Sequence, residues 1–197
     1  MPDRRANAAP PGGSPMAHLP LETERLLLRP YMREDAAEVA RLLNDTEMAR
    51  FLMVIPHPFV EFDARTLVKA AWRRLTGGRG FDLLITVKGD GDRPVGSVGV
   101  GLHDENRRGE LGFWIGREYW GRGYASEAAR RMVSFATETL CVPRLTGTVA
   151  ADNAASLAVL GRLGFVETGR GEKRVPSTGE MREVIFFELQ EIGRAHV

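Results

Sequence analysis

Three apolar runs, Phe81–Val87, Val95–Leu102 and Glu110–Gly116, follow one another with only Gly-, Asp- and Pro-bearing connections between them. Those connections carry turn chemistry and are far shorter than the dozen or more residues a parallel crossover needs. The runs are therefore expected to be consecutive strands of antiparallel hairpins. A dinucleotide fold, whose glycine turn follows the first strand of a parallel set, is disfavoured on the same ground.

The rest of the chain is read around this block. Arg25–Tyr31 is a short apolar run closed by Pro30, and Glu34–Asn44 and Glu61–Leu75 place apolar residues at helical spacing. Tyr124–Leu140 has the most regular helical stripe and ends at Cys141-Val142-Pro143. Leu145–Ala150 reads as a strand, Asn153–Leu163 as a helix and Val184–Leu189 as a late strand. The order β, two helices, three β, helix, β, helix, β predicts an α/β (α+β) domain, a mixed sheet with helices on its faces.

One domain is expected over residues 21–190. Residues 1–20 hold five of the eleven prolines and no continuous apolar stretch, and read as a disordered leader, with translation beginning at Met1 or Met16. Residues 191–197 read as a tail, either native or a sequencing artefact, since the start of a common sequencing adapter encodes them; His196 is given no role.

Composition narrows the function. Of 197 residues 43% are hydrophobic, enough for a core. Lys+Arg is 27 against Asp+Glu 26, so the net charge of +1 supplies no field for nucleic acid, which is not expected as a partner. No apolar run approaches the roughly 20 residues of a membrane-spanning helix. The single cysteine, Cys141, excludes an internal disulfide and a cysteine metal cluster, and fits a reducing, cytoplasmic setting with no metal. Monomer and homodimer both remain open.

The turn that joins the third run to the strongest helix is Tyr119-Trp120-Gly121-Arg122-Gly123-Tyr124-Ala125. Glycines at 121 and 123 permit unusual backbone angles and close approach of a ligand to backbone N–H groups. The unpaired donors of the first helical turn point the same way, so the turn can seat an anion such as a diphosphate. A plain tight loop satisfies the same residues. A Walker loop is excluded, because Gly123 is followed by Tyr124 and not by Lys-Ser/Thr.

Taken with Glu110-Leu111-Gly112-Phe113-Trp114, Ser126-Glu127-Ala128, Asn153-Ala154-Ala155-Ser156, Leu163-Gly164-Phe165 and the opening Leu21–Arg29, this turn resembles the GNAT N-acetyltransferases, nearest to the RimJ/RimL-like ribosomal-protein branch. The resemblance runs from about Leu21 to Gln190. It implies a mostly antiparallel central sheet, helices on both faces, a splayed strand pair, and acetyl-CoA as cosubstrate with an amine as partner. By that resemblance the backbone N–H groups of Gly121, Arg122, Gly123, Tyr124 and Ala125, with Ser126 following and the Arg122 charge nearby, would bind the CoA diphosphate. Trp120 stands where the family has Gln or Arg. One strand of the splayed pair is expected to bulge; Phe113, Trp114, Ile115 and Gly116 on one side and Leu145–Ala150 on the other would line the slot for pantetheine. Asn153 would touch the cofactor.

Acetyl transfer to an amine needs a base, a stabiliser for the developing oxyanion and a proton for the leaving thiolate. Glu110 is the first candidate for the base, directly or through water, with Asp82, His103, Asp104 and Glu105 in reserve; a solvated or salt-bridged strand residue is its plainer reading. Backbone N–H groups near Trp114 or Ile115 are candidates for the oxyanion. The family's usual tyrosine acid falls on Leu160, so Ser156 is the candidate, unless it only caps its helix. Cys141 is expected to be buried and structural, Trp72, Trp114 and Phe59 to be core, and His57 to line the acceptor mouth or sit exposed. The acceptor is either a protein N-terminus or a small amine; polyamines are disfavoured because no strongly acidic groove is foreseen. A non-catalytic acyl-CoA-binding module on the same fold is the alternative.

Overall fold

The computed structural model describes residues 14–52, 55–105, 107–175 and 178–189. One sheet of eight strands runs β1 (Leu21–Glu22), β2 (Leu26–Pro30), β3 (Gly80–Val87), β4 (Pro94–His103), β5 (Arg108–Ile115), β6 (Leu145–Ala150), β8 (Met181–Leu189), β7 (Phe165–Arg174) in space. Every neighbouring pair is antiparallel except β5 and β6. The three-strand block expected from the short connections is thus β3–β4–β5, and the sheet is mixed and mostly antiparallel.

Alternation along these strands gives two apolar faces. Leu83, Val98 and Phe113 are cross-strand partners on one face. That face packs on Ala128, Ala129 and Met132 of α4 (Tyr124–Ser134) and on Val159 and Leu160 of α5 (Ala154–Arg162). Leu84 lies on the other face, in a core with Val39 and Leu43 of α1 (Ala36–Leu43), Met48 of α2 (Thr46–Ala49), and Ala64, Val68 and Ala71 of α3 (Glu61–Thr76).

Several expectations are corrected. The predicted Tyr124–Leu140 helix is α-helical only to Ser134; Phe135–Thr139 continues as a single π turn, with Leu140 N–H donating to the Phe135 carbonyl at 3.0 Å. The turn places both Phe135 and Ala136 in the core. Cys141 is exposed, not buried: at φ +53° it ends the turn, and Val142 takes the interior position. Trp72 is 40% exposed, and its indole N–H donates to the Tyr31 carbonyl at 2.6 Å. The unforeseen β7 forms the sheet edge; its mostly exposed side chains, from Val166 to Arg174, leave no apolar alternation to read.

Of the expected leader, residues 1–13 lie outside the described residues, while Pro15–His18 forms a 3-10 turn before β1. The expected tail, residues 191–197, also lies outside them. Among the described residues no helix is long and apolar enough to cross a membrane.

Candidate active site

The parallel ladder of β5 and β6 contains Gly109↔Leu145 and Glu110↔Thr146 and goes no further, although β5 runs on to Ile115 and β6 to Ala150. Past Glu110 the two strands part and a slot opens within the sheet. The bulge implied by the resemblance is not what opens it. β5 keeps register with β4 from His103↔Arg108 to Gly96↔Ile115, and the register shifts lie at Ile85/Thr86 and Glu167/Gly169. β6 likewise keeps register with β8 from Thr146 to Ala150, so each strand stays with its outer neighbour while their shared ladder ends.

Glu110 stands at the apex, half-exposed. Its Oε1 accepts from the Thr148 hydroxyl across the slot at 3.1 Å, and its Oε2 lies 3.9 Å from His103 Nε2. Farther along β5, Phe113 packs on the α4 core, Trp114 on the α1–α3 core, and Ile115 is buried. The Ile115 carbonyl accepts the Trp120 indole N–H at 2.6 Å, so the tryptophan that replaces the expected amide or guanidinium anchors the strand end. Of the reserve residues, Asp104 and Glu105 sit in the exposed β4–β5 turn at φ +51° and +56°.

From β5 the chain passes through a 3-10 turn at Arg117–Tyr119 to Gly121 and Gly123, at φ +76° and +80°. Residues with a Cβ avoid that region, which explains both glycines. Gly123 is the N-cap of α4, and Glu127 N–H donates back to its carbonyl. The N–H groups of Tyr124, Ala125 and Ser126 precede that bond and have no partner inside the helix. The space over Gly121 is open: a Cβ built there meets nothing within 4 Å. Arg122 turns back, donating to the Glu118 carbonyl at 3.3 Å and lying over the Tyr119 ring.

Residues to which sequence reasoning assigned no role hold this turn in place. Glu127, in the first turn of α4, accepts from the Thr23 hydroxyl at 2.6 Å, the Arg25 N–H at 2.9 Å and Arg25 Nε at 2.7 Å. Arg25 Nη1 donates to the Arg122 carbonyl at 3.0 Å, and the guanidinium lies over the Tyr124 ring. Burial pushes the Glu127 carboxyl upward, but these donors outweigh it and hold it below the usual carboxylate range. Arg25 and Glu127 both lie within the motifs that carried the resemblance, yet their pairing spans 102 positions and leaves no local signal.

At the far side of the slot Asn153 caps α5, its Oδ1 accepting from Ser156 N–H at 3.1 Å. Asn153 and Ser156 are both half-buried. Leu160 is buried beneath Gly147, whose Cβ would come within 3.1 Å of it. His57 is half-buried, and its enclosed Nδ1 has no hydrogen-bond partner among the described residues. Among those residues no group of three or more His, Cys, Asp or Glu is placed to hold a metal.

Residues 25–166 match the family model described as an acetyltransferase (GNAT) domain. The uncharacterized N-acetyltransferase p20 of Bacillus licheniformis is 30% identical over 170 residues, 86% of this chain and 94% of the relative. Mycobacterium smegmatis RimJ in complex with CoA-disulfide superposes with a TM-score of 0.75 at 20% identity, covering 87% of this chain and 84% of that one. RimL, a ribosomal L7/L12 alpha-N-protein acetyltransferase in complex with coenzyme A, gives 0.75 at 18% identity over 84% and 94%. The two structures share the fold; the family model and the Bacillus relative cover the turn, the slot and the strands that build them, and on that ground the chain belongs to the GNAT acetyltransferases.

Proposed function

We propose that the protein transfers the acetyl group of acetyl-CoA directly to a primary amine, at a protein N-terminus or on a small molecule, while both substrates are bound, and that it does so in the cytoplasm. The observation that carries this reading is the slot between β5 and β6, which starts at Glu110 on the strand that leads into the glycine turn and the start of α4. Acetyl-CoA supplies an activated thioester and, in its diphosphate, an anion for those amides. The open space over Gly121 and the helix-start donors fit that anion. RimL, named for acetylation of a ribosomal protein and bound to coenzyme A, favours a protein N-terminus.

In this reading Gly121–Ala125 and Ser126 hold the diphosphate by their N–H groups. The β5 edge at Phe113–Ile115, which has no β6 partner and on which Trp120 takes only the Ile115 carbonyl, holds the pantetheine arm, and Asn153 closes the far side. Glu110 takes the proton from the attacking amine as the N–C bond forms. A backbone N–H near Trp114 or Ile115 stabilises the carbonyl oxygen, and Ser156, or a water it orders, protonates the sulfur as the C–S bond breaks.

A second reading, a non-catalytic acyl-CoA-binding module, is favoured by buried Leu160, which offers no proton at the family's tyrosine position. Thiol release from acetyl-CoA, screened over N-terminal peptides, aminoglycosides, polyamines and amino acids, decides between them. Acceptor-dependent release with one class supports transfer; coenzyme A heat by calorimetry without release from any acceptor supports the module. Glu110→Gln is expected to lower kcat by roughly 10²–10⁴ while leaving the coenzyme A dissociation constant unchanged.

A further inference from the structure

Asp82 on β3 pairs with Gly99 on β4, and Gly99 pairs with Gly112 on β5, so the three share one face of the sheet. The neighbouring row on that face is Gly80, Gly101 and Glu110. The Asp82 side chain lies flat on this floor: a Cβ on Gly99 would overlap its Oδ1. Its Oδ2 is 2.9 Å from Arg74 Nη1, and the guanidinium covers the next row, where a Cβ on Gly80 or Gly101 would come within 2.7 Å of Nη2. Three missing side chains thus make room for one ion pair.

The floor continues into open space. Gly112 is exposed, and a Cβ built on it meets nothing within 4 Å. The opening lies where β5 and β6 have parted, one strand from the carboxylate oxygen over Gly99 and two residues along β5 from Glu110. Cross-strand Cβ positions are about 5 Å apart and i, i+2 positions about 7 Å, so Gly99 and Glu110 both stand within reach of a small group placed over Gly112.

We propose that Asp82 binds the acceptor's ammonium group through Oδ1 beside the Gly112 opening, reaching it across the strands where Glu110 lies along β5, and so prefers acceptors that are charged at neutral pH. The ammonium gives one proton to bulk water before the neutral amine attacks with Glu110 as base. The proposal rests on the acetyl transfer argued above and adds the residue that recognises the acceptor's charge. Burial pushes the Asp82 carboxyl upward against the pull of Arg74. Arg74 is a positioning residue: by holding Oδ2 it keeps Oδ1 over Gly99, the cross-strand neighbour of Gly112.

The test uses the full chain, acetyl-CoA and two peptides. One begins with alanine; the other carries an aminooxyacetyl group in its place, whose terminal nitrogen is uncharged at neutral pH. Asp82→Asn is expected to raise KM for the alanine peptide by about tenfold or more, the scale of one lost charge-assisted contact. KM for acetyl-CoA and for the aminooxy peptide should stay within about twofold, inside ordinary variation for an untouched site. Gly99→Ala, which keeps the carboxylate but displaces it, should reproduce the pattern and carries the comparison should Asp82→Asn fold poorly. Equal losses for both peptides, or none for either, overturn the role of Asp82 while leaving acetyl transfer intact. Wild-type protein that acetylates neither peptide overturns the role of Asp82, and acetyl transfer falls with it only when no acceptor of the wider screen releases thiol.

Discussion

Arg29 and Asp35 form a bidentate pair at 2.8 Å with side chains only 9% and 6% exposed, and Asp92 adds a third partner. The Asp35 hydrogen bonds raise the Arg29 guanidinium above its ordinary range, against the cost of burial. Removing one partner strands the other charge, so Asp35→Ala should cost about 3–5 kcal/mol in urea denaturation. Glu127 makes a different residue-scale prediction. Its folded carboxyl titrates below its unfolded value near 4.3, so its contribution is complete above that value and is lost as pH falls through the lower folded one. Melting temperature measured from pH 6 to 3 should therefore fall more steeply for wild type than for Glu127→Gln. Asp82, with its carboxyl raised, acts in the opposite sense and gains stability on protonation.

At the scale of elements, the start of α4 depends on a left-handed N-cap. Gly123→Ala should cost about 1–2 kcal/mol from backbone strain, and its Cβ would press to 3.3 Å from Arg25 Nη2. Calorimetry should show weaker coenzyme A binding in the same variant. Elements with a strong local signature were legible: α1, α3, α4 and α5 each show an apolar stripe, and β3–β5 are bounded by turn residues. β7 was not, because beyond Phe165 and Val166 an edge strand with exposed Glu167, Glu172, Lys173 and Arg174 carries no apolar alternation. The π turn hid for another reason, since apolar spacing alone does not reveal where one residue is added to a turn. The glycine turn was readable because its chemistry is local. The Asp82–Gly99–Gly112 row was not, because it exists only once register sets three separate strands side by side.

Across the whole molecule, the sheet divides two interiors, one under α4 and α5 and one under α1 and α3. Phe135 anchors the first, fully buried and edge-on to Phe81 at 5.2 Å. Phe135→Ala should cost about 3–5 kcal/mol, lowering the melting temperature by roughly 10 °C in a chain of this size. The break in the β5–β6 ladder acts on the same scale. Strands β1–β5 and β6–β8 are two slabs that meet along a short seam, and the interior shared by Leu111, Val149 and Leu160 holds them together beneath it. Deuterium uptake at residues 112–116 and 147–150 should slow when coenzyme A is added, while β3 is unaffected. A guest lying in the seam would finish a fabric the polypeptide leaves unwoven, so thermal tolerance should track the supply of acyl carrier.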